Sequence, residues 1–276
     1  MTESQSRYIH GVDPEEQRRL SLLNARMNDS SLKAIGVRAG EHVLDFGCGL
    51  GQLTRAMARA AGPGSRAVGI DRSEEQLAEG RRQAREAGEE TLIELRRGDA
   101  FAPPLRDDEW GSFDLAHTRF LLEHLPDPLA AVRAMGRAVK PGGRVVLEDE
   151  DHDILRLWPE PPYVRAVWET YVKSYEKLGN DPYVGRKLVS LLHQAGLAPI
   201  RNTWIFFGGC SGSPDFEGVV ENLATILEGA SEQILAVGSL DDRAILAAVD
   251  SLHAWKKRPD AGLWFGIALA EGIRRA

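Results

Sequence analysis

The 276-residue chain holds only two cysteines, Cys48 and Cys210, far apart and without a Cys-x-x-Cys pair. That shortage argues against a disulfide framework and a cysteine-ligated zinc site, and it suits a reducing, cytoplasmic setting. No run of about 18 apolar residues occurs, so no membrane-spanning helix is expected. The opening segment "MTESQSRYIHGVDPEEQRR" has no apolar signal core, which points away from secretion. Positive charge is also short. With a formal net charge of -7 the chain lacks the basic face typical of nucleic-acid binders, and Arg81, Arg82 and Arg85 fall at helical spacing as a solvated face. Internal repeats and low-complexity linkers are missing too, so one domain over residues 1–276 is expected.

What is present, at 43% hydrophobic and 27% charged, suffices for a sizeable core. From about residue 42, short β-branched runs alternate with helical patterns, the signature of a mainly parallel sheet covered by helices. "HVLDFG", "RAVGID", "LIELRRGDA", "FDLAHTRF" and "RVVLE" read as successive strands. Between them, "LTRAMARAAG", "SEEQLAEGRRQAREAG" (with Ser73 as its cap) and "DPLAAVRAMGRAVKPGG" read as helices. The alternation then lapses over 151–184, a stretch rich in Pro, Trp and Tyr. It resumes with the helix "VGRKLVSLLHQAG" and a sixth strand "IRNTWIFFGG". A second helical insertion spans about 215–257, with a capping box predicted from Ser239 to Asp242, and "GLWFGIALAEGIRR" forms a last strand. Segments 1–40, 151–184 and 208–260 are expected to cap the core.

After the first strand comes "LDFGCGLGQ". Gly47, Gly49 and Gly51 let a ligand approach the backbone at a helix N-terminus. The spacing is Gly-x-Gly-x-Gly rather than the dinucleotide Gly-x-Gly-x-x-Gly, and Asp45 precedes it. A carboxylate there disfavours a pyrophosphate and suits a ligand with a cationic end. Asp71 closes the second strand, where it can accept hydrogen bonds from ribose hydroxyls, and Asp99 closes the third.

The stretches "VLDFGCGLGQ", "VGIDRS", "RRGDA", "FDLAHTRFLLEHLPDP" and "VKPGGRVVLED", covering about residues 43–150, resemble the class I S-adenosylmethionine-dependent methyltransferases. "YIHGVDPEEQRRL" and the insertion before the last strand are similar to the bacterial small-molecule, type 11/25-like branch. The resemblance implies an α/β, Rossmann-like, seven-stranded mainly parallel sheet flanked by helices, with helical cap insertions. It implies S-adenosylmethionine as cofactor and S-adenosylhomocysteine as product, with no metal. Gly47, Gly49, Gly51 and Gln52 would lie along the methionine and ribose, with Asp45 near the amino group. Asp71 would hold the ribose hydroxyls while Arg72 lies beside the adenine, Asp99 and Ala100 would face the adenine edge, and Gln76 and Gly98 would also bind the cofactor. His117 or Arg119, both candidates for cofactor binding, would face the methionine end. The implied reaction is methyl transfer to a small, largely apolar acceptor, most simply at oxygen; N- or C-methylation, or cofactor binding without methylation as in a sensor or a rearrangement or cyclisation catalyst, remain alternatives. No nucleic-acid or membrane partner is expected, and a homodimer is compatible.

"EDEDHD", residues 148–153, follows the fifth strand. A cation site, a catalytic base and a solvated corner all remain open. In the base reading His152 or His117 takes the acceptor's proton, with Glu148 or Asp149 orienting the imidazole. In the bland reading the acids pair with arginines such as Arg156. His10, with Tyr8, is a further candidate, because the N-terminal segment of similar enzymes folds over the cofactor cleft. Trp158, Tyr163, Trp168, Tyr171, Tyr175 and Trp255 offer an apolar lid or simply pack the insertions.

Overall fold

The structure, a computed structural model, describes residues 27–275. A helix over 27–35, α1, leads into β1 (Val43–Phe46), and the chain then alternates α2 (Gln52–Ala61), β2 (Ala67–Asp71), α3 (Glu74–Glu86), β3 (Glu94–Arg97), β4 (Phe113–Arg119), α4 (Pro128–Ala138) and β5 (Val139–Glu150). β1 is buried on both faces, as expected of a central parallel strand. The helix starts follow local chemistry. The Ser73 hydroxyl accepts from the Gln76 amide at 3.2 Å, and Asp127 accepts from Ala130 at 3.0 Å ahead of the proline that opens α4.

Beyond β5 come β6 (Arg156–Trp158), α5 (Val164–Lys177), α6 (Leu188–Gln194), β7 (Ala198–Phe206), β8 (Gly209–Cys210), α7 (Phe216–Gly229), α8 (Ser231–Val237), α9 (Asp242–Trp255), β9 (Gly262–Trp264) and β10 (Gly266–Ile273). The main sheet has seven strands in the order β3-β2-β1-β4-β5-β10-β7. The first five are mutually parallel, whereas β10 runs antiparallel to both β5 and β7. The strand order reverses between β1 and β4, the topological position at which open α/β sheets bind ligands beyond their carboxyl ends.

Three buried clusters divide the interior. One face of the sheet packs under α4 and α6, the other under α1 and α2, and α5, α7, α8 and α9 form a third, separate cluster with Leu263. The cap is therefore a small helical body with its own apolar centre, set over the strand ends.

Two expectations are corrected. The predicted last strand is two: β9 joins β6 and β8 in a small antiparallel sheet before β10 enters the main one. The cap of α9 is Asp241, which accepts from the Ala244 amide at 3.0 Å, rather than a box begun at Ser239. No helix among the described residues is long and apolar enough to cross a membrane.

Candidate active site

The carboxyl ends of β1, β2 and β3 are tied together around the glycine turn. Gly47, Gly49 and Gly51 all have positive φ, and the Gly49 amide donates to Asp71 Oδ2 at 2.9 Å. Asp71 Oδ1 accepts from the Ser73 amide at 2.9 Å, so each oxygen retains an accepting site for a further donor. Burial pushes the Asp71 carboxyl above its ordinary pKa, although those two amides oppose the shift. A Cβ on Gly49 would stand 2.8 Å from Gln76 Oε1, which places Gln76 directly beneath the loop. The Gly98 amide donates to the Asp71 carbonyl at 2.9 Å, and a Cβ at Gly98 would collide with Pro104 Cδ at 2.3 Å. Asp99 beyond it is exposed and accepts from the Phe101 amide at 2.8 Å, with Ala100 packed against the core. Gln52 joins α2 to α3 through Gln83 at 2.9 Å, and Arg72 is exposed beside Asp71.

His117 sits in β4, and the structure seals it: 1% of the residue is exposed. Its Nδ1 lies 2.8 Å from Asp45 Oδ1, while Asp45 Oδ2 accepts from Thr54 Oγ1 at 2.5 Å. On the other side His117 Nε2 stands 3.6 Å from Glu148 Oε1, within ion-pair range but outside hydrogen-bond range. Burial alone would lower the pKa of His117, but Asp45 and then Glu148 override it and raise it to about 9. Glu148 accepts from Ser31 at 2.7 Å, and Arg119 reaches Ser31 and Asn28 at 3.0 and 2.9 Å. The cofactor-facing residues expected at Asp45, His117 and Arg119 thus form one ionic network linking β1, β4 and β5 to α1.

A cavity opens between the strand ends and the helical cap. Phe120, Glu123, His124, Glu150 and His152 line its floor, and Trp168, Tyr171, Tyr175, Leu223 and Phe265 its walls. It adjoins the glycine turn through a single loop, because Leu121 lies 3.1 Å from the Cβ position of Gly47 while Phe120 and Glu123 face the cavity. Phe120 has φ 55, a left-handed conformation rare for an aromatic residue, held by its amide donating to the Glu148 carbonyl at 3.1 Å.

His152 is the buried polar centre of this cavity. Its Nε2 lies 3.0 Å from Glu123 Oε2 and 3.3 Å from Glu150 Oε2. Its ring packs 4.9 Å from Tyr175 and 5.5 Å from Trp168, centroid to centroid. Its Nδ1 is buried with no hydrogen-bond partner among the described residues. Burial lowers the pKa of His152, Glu150 and Asp151 notwithstanding. Burial, then Asp181, raises that of Glu123 to about 8. Burial and the neighbouring His152 hold His124 down at about 3. The Tyr171 and Tyr175 hydroxyls meet each other at 2.8 Å.

The expected orienting residues of His152 are therefore corrected. Glu148 points to Ser31 and His117 on one side of β5, while Asp149, on the other side, accepts from the Leu122 amide at 2.8 Å. Glu123 takes the role, and no local sequence pattern announces it: it lies 29 residues from His152 and arrives through the pairing of β4 with β5. Asp151 pairs with Arg186 through two contacts of 2.6 Å, whereas Arg156 donates to the Asp153 and Leu155 carbonyls. Glu123, Glu150 and His152 each offer a ligand atom within 4.8 Å of the others, so any cation at this corner would be held there rather than by Glu148 and Asp149. His10 and Tyr8 lie outside the described residues.

Residues 44–147, the span that holds the glycine turn, Asp71, Asp99 and β4, match the family described as a methyltransferase domain. By that match they are a methyltransferase domain. The chain is 34% identical over 154 residues to demethylmenaquinone methyltransferase of Bacillus velezensis, covering 53% of this chain and 64% of that one. It is also 35% identical over 169 residues to a 37.1 kDa protein in transposon TN4556 of Streptomyces fradiae, covering 60% of this chain and 46% of that one. The chain thus spans between about half and two thirds of these curated relatives. The crystal structure of the cyclase SpnF shares the fold with a TM-score of 0.56 at 21% identity, covering 91% of this chain and 81% of that one. The cap and the last two strands of the main sheet lie beyond the matched span of the methyltransferase domain.

Proposed function

We propose that this protein transfers a methyl group from S-adenosylmethionine to a small, largely apolar molecule seated in the cavity between the strand ends and the helical cap. The observation that carries the reading is the aromatic cavity beside the glycine turn, with the buried, unpartnered Nδ1 of His152 in its lining.

The residues at the cofactor end fit such a ligand. The left-handed glycines present backbone without Cβ atoms, Asp71 keeps free accepting sites for vicinal hydroxyls, and Asp99 lies exposed at the end of β3. S-adenosylmethionine supplies an already activated methyl carbon, so the chain needs no nucleophile of its own. Its residues must align the acceptor, exclude water and handle one proton.

Trp168, Tyr171, Tyr175 and Phe265 offer flat apolar walls that desolvate and orient the acceptor. An acceptor hydroxyl or amine must lose a proton as its lone pair is committed, and His152 is placed to receive it. When Glu123 is ionised, it accepts from the Nε2–H of His152, which leaves the Nδ1 lone pair bare. Proton transfer to Nδ1 then gives an imidazolium beside Glu123 and Glu150, whose charges stabilise it. An oxygen acceptor, the simplest expectation from the sequence, uses this base fully.

The test is turnover. Purified protein incubated with S-adenosylmethionine and a panel of aromatic and isoprenoid alcohols and amines is expected to release S-adenosylhomocysteine with at least one of them. Cofactor binding without methylation of any panel member would overturn the reading.

A further inference from the structure

Among the described residues, β7 is the outermost strand of the main sheet, bonded to β10 along one side and to no strand along the other. Edge strands in soluble proteins are usually blunted by charge or proline, because their free amides and carbonyls invite pairing. β7 carries both devices near its start, Pro199 and Arg201, so the edge itself is guarded, but its outer face is not. Ile200, Trp204 and Phe206 share one face of the strand and are 54%, 49% and 60% exposed. Phe206 also lines a surface groove with Trp158 and Trp264 of the small sheet, which are 67% and 51% exposed. Trp204 lies between the two parts, with its Cε3 3.3 Å from the Cβ position of Gly266, the first residue of β10.

Four half-exposed aromatic side chains and an isoleucine together expose on the order of 500 Å² of apolar surface, with Asn202 between Ile200 and Trp204. A standard interface buries about 800 Å² per partner, of which about 60% is apolar. The area of the patch is thus what a stable association requires from one side. We propose that it is the dimer interface of this protein: two copies meet across a two-fold axis with these faces packed on each other, Trp204, Phe206, Trp264 and Trp158 forming the apolar centre.

Symmetry favours a second copy. A two-fold axis brings the same aromatic patch from both copies face to face, so the surface is self-complementary. A lipid surface fits poorly, because the chain carries a net charge of -7 and the patch sits on a sheet rather than on a basic amphipathic helix. The proposal stands apart from the catalytic reading, because it uses none of the cavity or cofactor-loop residues.

Sedimentation velocity of the full chain between about 1 and 100 µM tests it, a range that brackets ordinary dimer affinities. The wild type is expected to sediment as a dimer, and the double variant Phe206→Glu, Trp264→Glu as a monomer. Both side chains are more than half exposed, so the thermal midpoint and the affinity for S-adenosylhomocysteine should be unchanged. Ile200→Lys, on the same face but away from the groove, should weaken the dimer at least about 10-fold. A wild-type monomer throughout that range overturns the proposal, whether residues 1–26 or lipid vesicles prove to cover the patch. So does a dimer that survives the double variant with unchanged affinity.

Discussion

Glu123 Oε2 lies 3.0 Å from His152 Nε2, joining the loop after β4 to the turn after β5 at the floor of the aromatic cavity. This contact decides which imidazole nitrogen is available to an acceptor. Glu123→Gln keeps the volume but removes the charge that stabilises an imidazolium. It should lower kcat by about 100-fold while leaving S-adenosylmethionine affinity within about 2-fold. His152→Asn should cost at least as much. Steady-state kinetics with binding measured separately checks both, and a Glu123→Gln enzyme of normal kcat would remove Glu123 from the mechanism.

The same pair sets a pH dependence. Glu123 titrates at about 8, so below that value its carboxyl keeps a proton, donates to Nε2, and leaves the imidazole proton on Nδ1. Above it, the ionised carboxylate accepts from Nε2 and Nδ1 is bare. The methylation rate should therefore rise with pH through about 8, and the rise should vanish in Glu123→Gln. A flat kcat profile between pH 6 and 9 would contradict it.

His117 predicts a stability change of its own. Its pKa is raised to about 9, above the ordinary value of 6.5, so the ion pair with Asp45 and Glu148 stabilises the fold fully below about pH 6.5. That contribution, about 3 kcal/mol, is lost as pH rises through about 9. The urea midpoint should fall between pH 6 and 10, and His117→Gln should abolish that part of the fall.

Metal removal separates the two uses of the Glu123–Glu150–His152 corner. In the proposed mechanism Nε2 is engaged by Glu123, so a chelator should leave turnover unchanged, and added magnesium, zinc or manganese should not raise it. A chelator-sensitive rate restored by one of these ions would instead make the cluster a cation site.

The strands and helices of the core were legible because parallel strands buried on both faces read as plain apolar runs between capped helices. β1, β2 and β4 and the cap at Ser73 stand where the patterns put them. The split of the last strand was not legible. "GLWFGIALAEGI" is a continuous apolar run, and its division comes from three-dimensional pairing with β6 and β8. The glycine turn and Asp71 could be placed from local spacing alone. The partners of the histidines could not, because Asp45 with His117 and Glu123 with His152 are separated by 72 and 29 residues and meet through sheet register. Burial likewise divides the aromatic residues of the insertion: Tyr171 and Tyr175 are enclosed at the cavity, whereas Trp158 lies on the surface.

The cofactor end is tested most directly by equilibrium titration of S-adenosylhomocysteine into the wild-type protein and into Asp71→Ala, which removes the acceptor for Gly49, Ser73 and the ligand hydroxyls together. The account predicts micromolar binding that weakens by about 100-fold in the variant, a change of about 2.8 kcal/mol. Binding of equal strength in both proteins, or none to the wild type at millimolar ligand, would contradict it.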